Sequence, residues 1–437
     1  MLGPTDLTRL QMFETISHWL QRLPSTEFYS GAPFWAYFVL VVIAVRALPA
    51  RGTVRDLLLL VANVGMLLAL PRFNGTALAL YVALGVFTFG VGRVLLGDSV
   101  KGRRPRILIA LLGILAVLFV LAIFKYRLLQ SLLLKDSSLF GQGAAHFIFL
   151  IGISYSSFKA IHFVIEAYKR KIEGLRFLEF ANYLLFFPSF VSGPINRYND
   201  FHQSSTTARR SSLRPDLAPG LERIVHGLFK KFVITVILFP HTIVQLKTPL
   251  AELAPWQILL GLYAYALYFY FDFSGYTDLA IGSARLLGFH LPENFNLPFL
   301  KKNIQQLWAN WHMSLTGWLT DYVYWPLVRR MRNMDFLRQH PLIISNSAII
   351  ITFFLCGAWH GESVNFILWG LYHGVGIAIV NLYQKWKRQV RHALALKYFA
   401  SRLSYTVGVI LTFNFFAIGL LFLVDSRQVV AVVQRFF

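Results

Sequence analysis

The sequence holds one cysteine, Cys356, among 437 residues, which excludes an intramolecular disulfide and any thiolate cluster for zinc or iron–sulfur. Charge is equally scarce: Asp, Glu, Lys and Arg make up 14% of the chain, too few to keep the surface of a soluble protein this size wet. No G-x-S-x-G elbow, P-loop, H-E-x-x-H pair or paired cysteines occur, so serine hydrolase, nucleotide-driven pump and zinc protease lose their usual signatures. Internal repeats and low-complexity tracts are also missing. Asp6, Glu14 and Glu27 precede the first apolar run, where a cleaved signal peptide would have a basic start and an early apolar core. The expectation is an uncleaved chain inserted by its own helices.

What is present is apolar: 56% of residues are hydrophobic, 16% are aromatic, and the mean hydropathy is +0.55. These values define a polytopic integral membrane protein; the expected fold is all-α, with about 10–12 transmembrane helices plus re-entrant and interfacial ones. The formal net charge of +22 comes from 42 basic against 20 acidic residues. The basic residues sit in short clusters between apolar runs, which fits the positive-inside rule rather than a nucleic-acid surface.

Spans are expected near 33–48, 56–70, 75–96, 107–128, 145–168, 232–246, 256–284, 342–359, 364–384 and 403–424. An amphipathic helix over 6–22 is expected within an interfacial segment 1–30, leaving 31–437 as a single transmembrane domain. Three basic loops alternate with less basic ones: Arg46/Arg51/Arg55, Lys101/Arg103/Arg104/Arg106 and Lys169/Arg170/Lys171/Arg176. That alternation puts these loops in the cytoplasm and the N-terminus outside. The apolar run 177–195 joins two basic regions, the second reaching from Arg209 to Lys231. A re-entrant segment broken at Pro188 and at Ser192-Gly193-Pro194 reconciles the two. Residues 299–327, interrupted by Lys301, Lys302, His312, Asp321 and Pro326, read as helices buried at partial depth.

Ionisable residues in such surroundings are functional suspects. His360 stands in Ala358-Trp359-His360-Gly361, where Gly357 and Gly361 allow close backbone approach beside the ring. Neutral imidazole is the side chain best suited to taking a proton from a hydroxyl near neutral pH. His312 is flanked by Trp308, Asn310, Trp311 and Trp318 and is placed to bind a carbonyl oxygen or orient His360. His373 reads as a helix-to-helix hydrogen bond, and His162 and His226 as structural. Asp272 and Asp278 fit either ion pairs with neighbouring helices or a proton path. No metal site is expected.

Several segments, taken in order, resemble the membrane-bound O-acyltransferases (MBOAT), in the bacterial branch with the alginate O-acetylation and teichoic acid D-alanyl transfer proteins. They begin with Gly152-Ile153-Ser154-Tyr155, Phe187-Pro188, Ser192-Gly193-Pro194-Ile195 and Gly227-Leu228-Phe229-Lys230-Lys231. They continue with Tyr270-Phe271-Asp272-Phe273-Ser274-Gly275-Tyr276, Pro292-Glu293-Asn294-Phe295-Asn296, Trp311-His312-Met313-Ser314-Leu315, Trp359-His360-Gly361 and His373-Gly374. The match spans about residues 150–375.

The resemblance implies a ring of helices around a central funnel, open to the cytoplasm for an acyl thioester and to the outside for an acceptor. It makes His360 and His312 the catalytic pair. Asn310, Trp308, Trp311, Asp272, Asp278, Asn294, Asn296, Trp359, Glu362 and His373 become the candidate oxyanion, binding or tunnel wall. No cofactor is expected to be bound. The donor is acyl-coenzyme A or an acyl carrier protein, and the partners are a secreted acyltransferase, membrane lipids and a polysaccharide acceptor. Ala309, Asn310 and Thr320 depart from the pattern of many relatives, and Leu327 leading into Val328-Arg329-Arg330 departs from the alginate-type pattern. These departures move the chain toward the D-alanyl type. The expected function is transfer of a small acyl group, acetyl first and D-alanyl second, with a proton-coupled transporter or flippase as the rival class.

Overall fold

A computed structural model of the chain describes residues 29, 31–47, 52–70, 73–127, 129–130, 150–208, 213–246, 252–390 and 393–424. The expected helix over 6–22 and loop residue Arg51 lie outside them. The described residues are helical, with no strand and a lone antiparallel bridge between Phe295 and Trp311.

Among the described residues two compact units form, one from 29–228 with 275–292 and one from 229–274 with 293–424. The first holds α1 (Ala32–Ala47), α2 (Thr53–Leu68), α3 (Gly75–Leu96), α4 (Arg103–Lys125), α5 (Ile153–Tyr168), α6 (Phe177–Leu185), α7 (Tyr198–Ala208) and α8 (Arg214–Phe229). It also holds the last turns of α9 (Pro255–Leu287). Asn74 starts α3 by accepting a hydrogen bond from the Ala77 amide at 2.9 Å. The exposed carbonyls at the end of α9 are met by arginines. Arg46 donates to the Leu286 and Arg285 carbonyls at 2.8 and 2.9 Å, and Arg55 to that of Leu287 at 3.2 Å.

α6 has nine residues, about 14 Å of helix, too short to cross a bilayer. The broken backbone after it is satisfied by side chains of the same unit. The Phe187 amide donates to Asn63 at 3.1 Å, and the fully buried Lys159 donates to the Tyr183 carbonyl and to Ser189, both at 3.1 Å. This is the protein-enclosed irregular backbone that the re-entrant reading requires.

The second unit holds the start of α9, then α10 (Ile304–Trp308), α11 (Met313–Leu319), α12 (Trp325–Arg332), α13 (Pro341–His360), α14 (Val364–Gln389), α15 (Ala393–Ala400) and α16 (Arg402–Gly419). Pro341 opens α13, and Ser363 and Ser401 cap α14 and α16.

Among the described residues six helical runs are long and apolar enough to cross a membrane: Gly75–Leu96, Arg103–Lys125, Arg214–His241, Pro341–His360, Val364–Gln389 and Arg402–Leu423. The third differs from the sequence expectation of a span over 232–246 after a basic region from Arg209 to Lys231. Instead α8 continues through a π-helical turn, Lys230–Ile234, to His241. The charges inside this run are paired, Arg223 with Asp278 at 2.9 Å and Lys231 with Asp272 at 2.6 Å.

Candidate active site

The second unit places His312 by locking two loops together. Phe295 bridges Trp311, the Asn296 amide donates to the Asn310 carbonyl at 3.1 Å, and the Met313 amide donates to the Asn294 carbonyl at 2.9 Å. Asn294, fully buried, is the hub. Its Oδ1 accepts from the Ser314 amide at 3.2 Å, the Ser314 hydroxyl at 2.6 Å and His312 Nδ1 at 3.3 Å. Because a backbone N–H points at this atom, it is the amide oxygen. His312 therefore donates from Nδ1, and in the neutral ring Nε2 carries the lone pair. The residue sits at φ 43°, ψ 52°, a left-handed conformation uncommon outside glycine. Phe273 meets the imidazole edge-on at 4.7 Å. His312 lies outside the six spans, and burial pushes its pKa down to about 3, so the ring is neutral at physiological pH.

His360 ends α13, part-exposed, in a wall of rings: Trp359 at 4.5 Å, Trp369 at 5.1 Å and Phe366 at 6.1 Å between centroids. The glycines beside it serve helix packing rather than substrate approach. A Cβ on Gly357 would lie 2.3 Å from the Phe366 carbonyl oxygen, and one on Gly361 2.6 Å from the Phe366 ring. On the facing helix a Cβ on Gly370 would lie 2.2 Å from the Phe353 oxygen.

A third histidine joins the His312 segment to this wall. Trp308 donates its indole N–H to His373 Nδ1 at 3.3 Å, so His373 is held with its proton on Nε2. Both are buried. Trp369 lies 5.0 Å from His373 and 5.7 Å from Trp308. Its buried indole Nε1 has no hydrogen-bond partner among the described residues. Sequence reasoning missed Trp369; the available signal was its i,i+4 spacing from His373 on one helix face.

The remaining candidates separate. Trp311 packs on Phe269, Phe299 and Phe416 as core. Asn310 donates to the Gln306 carbonyl at 2.8 Å, so one of its amide hydrogens is already engaged. Asn296 and Glu362 are exposed. Asp272 is tied to Lys231 in this unit, whereas Asp278 belongs to the other. Among the described residues no group of His, Cys, Asp and Glu could hold a metal ion.

An all-α membrane protein with the part-exposed His360 in an aromatic wall and with His312 and His373 buried fits an acyl-transfer class, and comparison with known proteins specifies it. Residues 107–422 match the profile of MBOAT, membrane-bound O-acyltransferase family. The chain belongs to that family and is an integral membrane acyltransferase. It is 33% identical over 274 residues to the teichoic acid D-alanyltransferase of Bacillus subtilis (strain 168), covering 62% of this chain and 68% of the relative. It is 34% identical over 337 residues to the probable alginate O-acetylase AlgI of Azotobacter vinelandii, covering 76% and 64%. The peptidoglycan O-acetyltransferase of Helicobacter pylori (strain ATCC 700392 / 26695) is 28% identical over 343 residues, covering 71% and 61%.

Proposed function

We propose that this protein moves a small acyl group, acetyl in the first instance, from a cytoplasmic thioester to a hydroxyl of an extracytoplasmic envelope polysaccharide, with a secreted partner acting on the acceptor. The donor is coenzyme A or a carrier protein, and the site is in a bacterial inner membrane with the N-terminus outside. The observation that carries the reading is the part-exposed His360 ring beside the unpartnered Trp369 indole.

In this reading His360 takes the proton of the acceptor hydroxyl, and the oxygen attacks the thioester carbonyl. Trp369 donates to the developing oxyanion. The intermediate collapses with loss of the thiolate, which receives the proton from His360, leaving an ester and a thiol. Trp308, whose single N–H is given to His373, holds the wall in place instead of donating. His312, with a lone pair on Nε2, accepts a hydrogen bond from substrate rather than stabilising the oxyanion.

D-alanyl transfer is the second reading, because relatives of both names are similarly close. Purified protein offered labelled acetyl and D-alanyl thioesters together with polysaccharide should form one labelled ester. Movement of label across proteoliposomes without any covalent product would overturn acyl transfer in favour of transport.

A further inference from the structure

In the first unit, α3, α4 and α5 pack around Leu95, Ala110, Val164 and Ala167. Their ends border an open, solvent-facing cavity of about 720 Å³, within the size range of small-molecule sites. Lys101, Arg103 and Arg106 line it from the start of α4, and Lys169 and Arg170 from the residues after α5. Asp98 is the one carboxylate in the lining. Arg170 lies 3.2 Å from Asp98, and Lys169 lies 2.7 Å from Glu166. Both are exposed pairs of the weak kind. Lys101, Arg103 and Arg106 make no ion pair among the described residues, so the cavity keeps an excess of positive charge.

Two features fix two of these cations, Arg106 and Arg170, in place. Arg106 Nη2 donates to the Leu95 carbonyl at 3.2 Å and the Tyr168 carbonyl at 2.7 Å, tying together the ends of α3 and α5. Its Nε is buried without a partner. Arg170 sits at φ 56°, at the helix-ending position that glycine ordinarily takes.

Below the cavity, α4 exposes Leu108, Leu111, Leu112, Leu115 and Phe119. A soluble phosphate has no use for that stripe, whereas a phospholipid needs both parts. We infer that the cavity binds the headgroup of an anionic phospholipid, whose acyl chains lie along the exposed face of α4.

The test is native mass spectrometry of the full chain in detergent with phosphatidylglycerol or phosphatidylcholine of identical chains, and with coenzyme A as a soluble phosphate probe. Phosphatidylglycerol should be retained about tenfold or more over phosphatidylcholine, and each removed cation should weaken retention about fivefold. Arg170→Gly suits the backbone, so its loss of binding cannot be ascribed to misfolding; Lys101→Gln with Arg103→Gln should give the larger, roughly 25-fold loss. Equal retention of the two lipids, or no effect of these variants, overturns the inference. So does displacement of phosphatidylglycerol by coenzyme A, which would assign the cavity to a soluble phosphate.

Discussion

His312 Nδ1 donates to Asn294 Oδ1 at 3.3 Å, and this bond decides which nitrogen keeps the lone pair. His312→Asn keeps an N–H near the Nδ1 position and tolerates the left-handed backbone, but loses the Nε2 lone pair. The variant should insert and fold normally while kcat falls about 100-fold or more. Wild-type turnover would show that the lone pair has no role.

The pH profile gives an independent check. Burial lowers the His312 pKa to about 3, so the ring stays uncharged as pH falls from 8 to 5 and gains a proton only near the lower value. Any loss of kcat/KM between pH 7 and 5 therefore belongs to another group. The midpoint of that loss should be the same in wild type and in the residual activity of His312→Asn. A shifted midpoint would assign the titration to His312.

Trp369 and Trp308 should separate by their partners. Trp369→Phe keeps the ring and removes the unpartnered donor, so kcat should drop about 100-fold with little change in KM. Trp308→Phe removes the bond to His373 and should lower thermal stability by about 1 kcal/mol. An active Trp369→Phe enzyme would remove the indole from the oxyanion role.

The ion pair of Lys231 and Asp272 at 2.6 Å tests the rival proton-path reading. Lys231→Ala leaves a largely buried carboxylate and should cost about 3–5 kcal/mol in thermal unfolding. Lys231→Met combined with Asp272→Leu should restore stability and retain activity. A folded but inactive double variant would give Asp272 a part in transfer.

α13 and α14 meet through glycine. Gly370→Ala pushes a methyl group to 2.2 Å from the Phe353 oxygen and should destabilise the helix pair by about 1–3 kcal/mol. An unfolding midpoint equal to wild type would show that the helices separate freely there.

Much of this was legible in the sequence because a membrane helix announces itself by apolar length. Runs such as 75–96 and 364–384 needed no tertiary information. The run Arg214–His241 was harder, since its interior charges argue against a span until Asp278 and Asp272 are known to face them. The histidines stood out as ionisable groups in apolar surroundings. The tautomer of His312 did not, because it depends on Asn294 lying 18 residues away in sequence. In sequence Gly357 and Gly361 signal room for substrate, but close approach by a neighbouring helix has the same signature.

His360 is the proposed base for ester formation on an envelope polysaccharide. Mass spectrometry of ester groups on purified polysaccharide should compare wild type, a deletion strain, and the deletion complemented with His360→Ala. The variant should be present in membranes at wild-type abundance. One ester, acetyl or D-alanyl, should vanish in the deletion and stay absent with the variant. Full restoration of that ester by His360→Ala would remove His360 as the base.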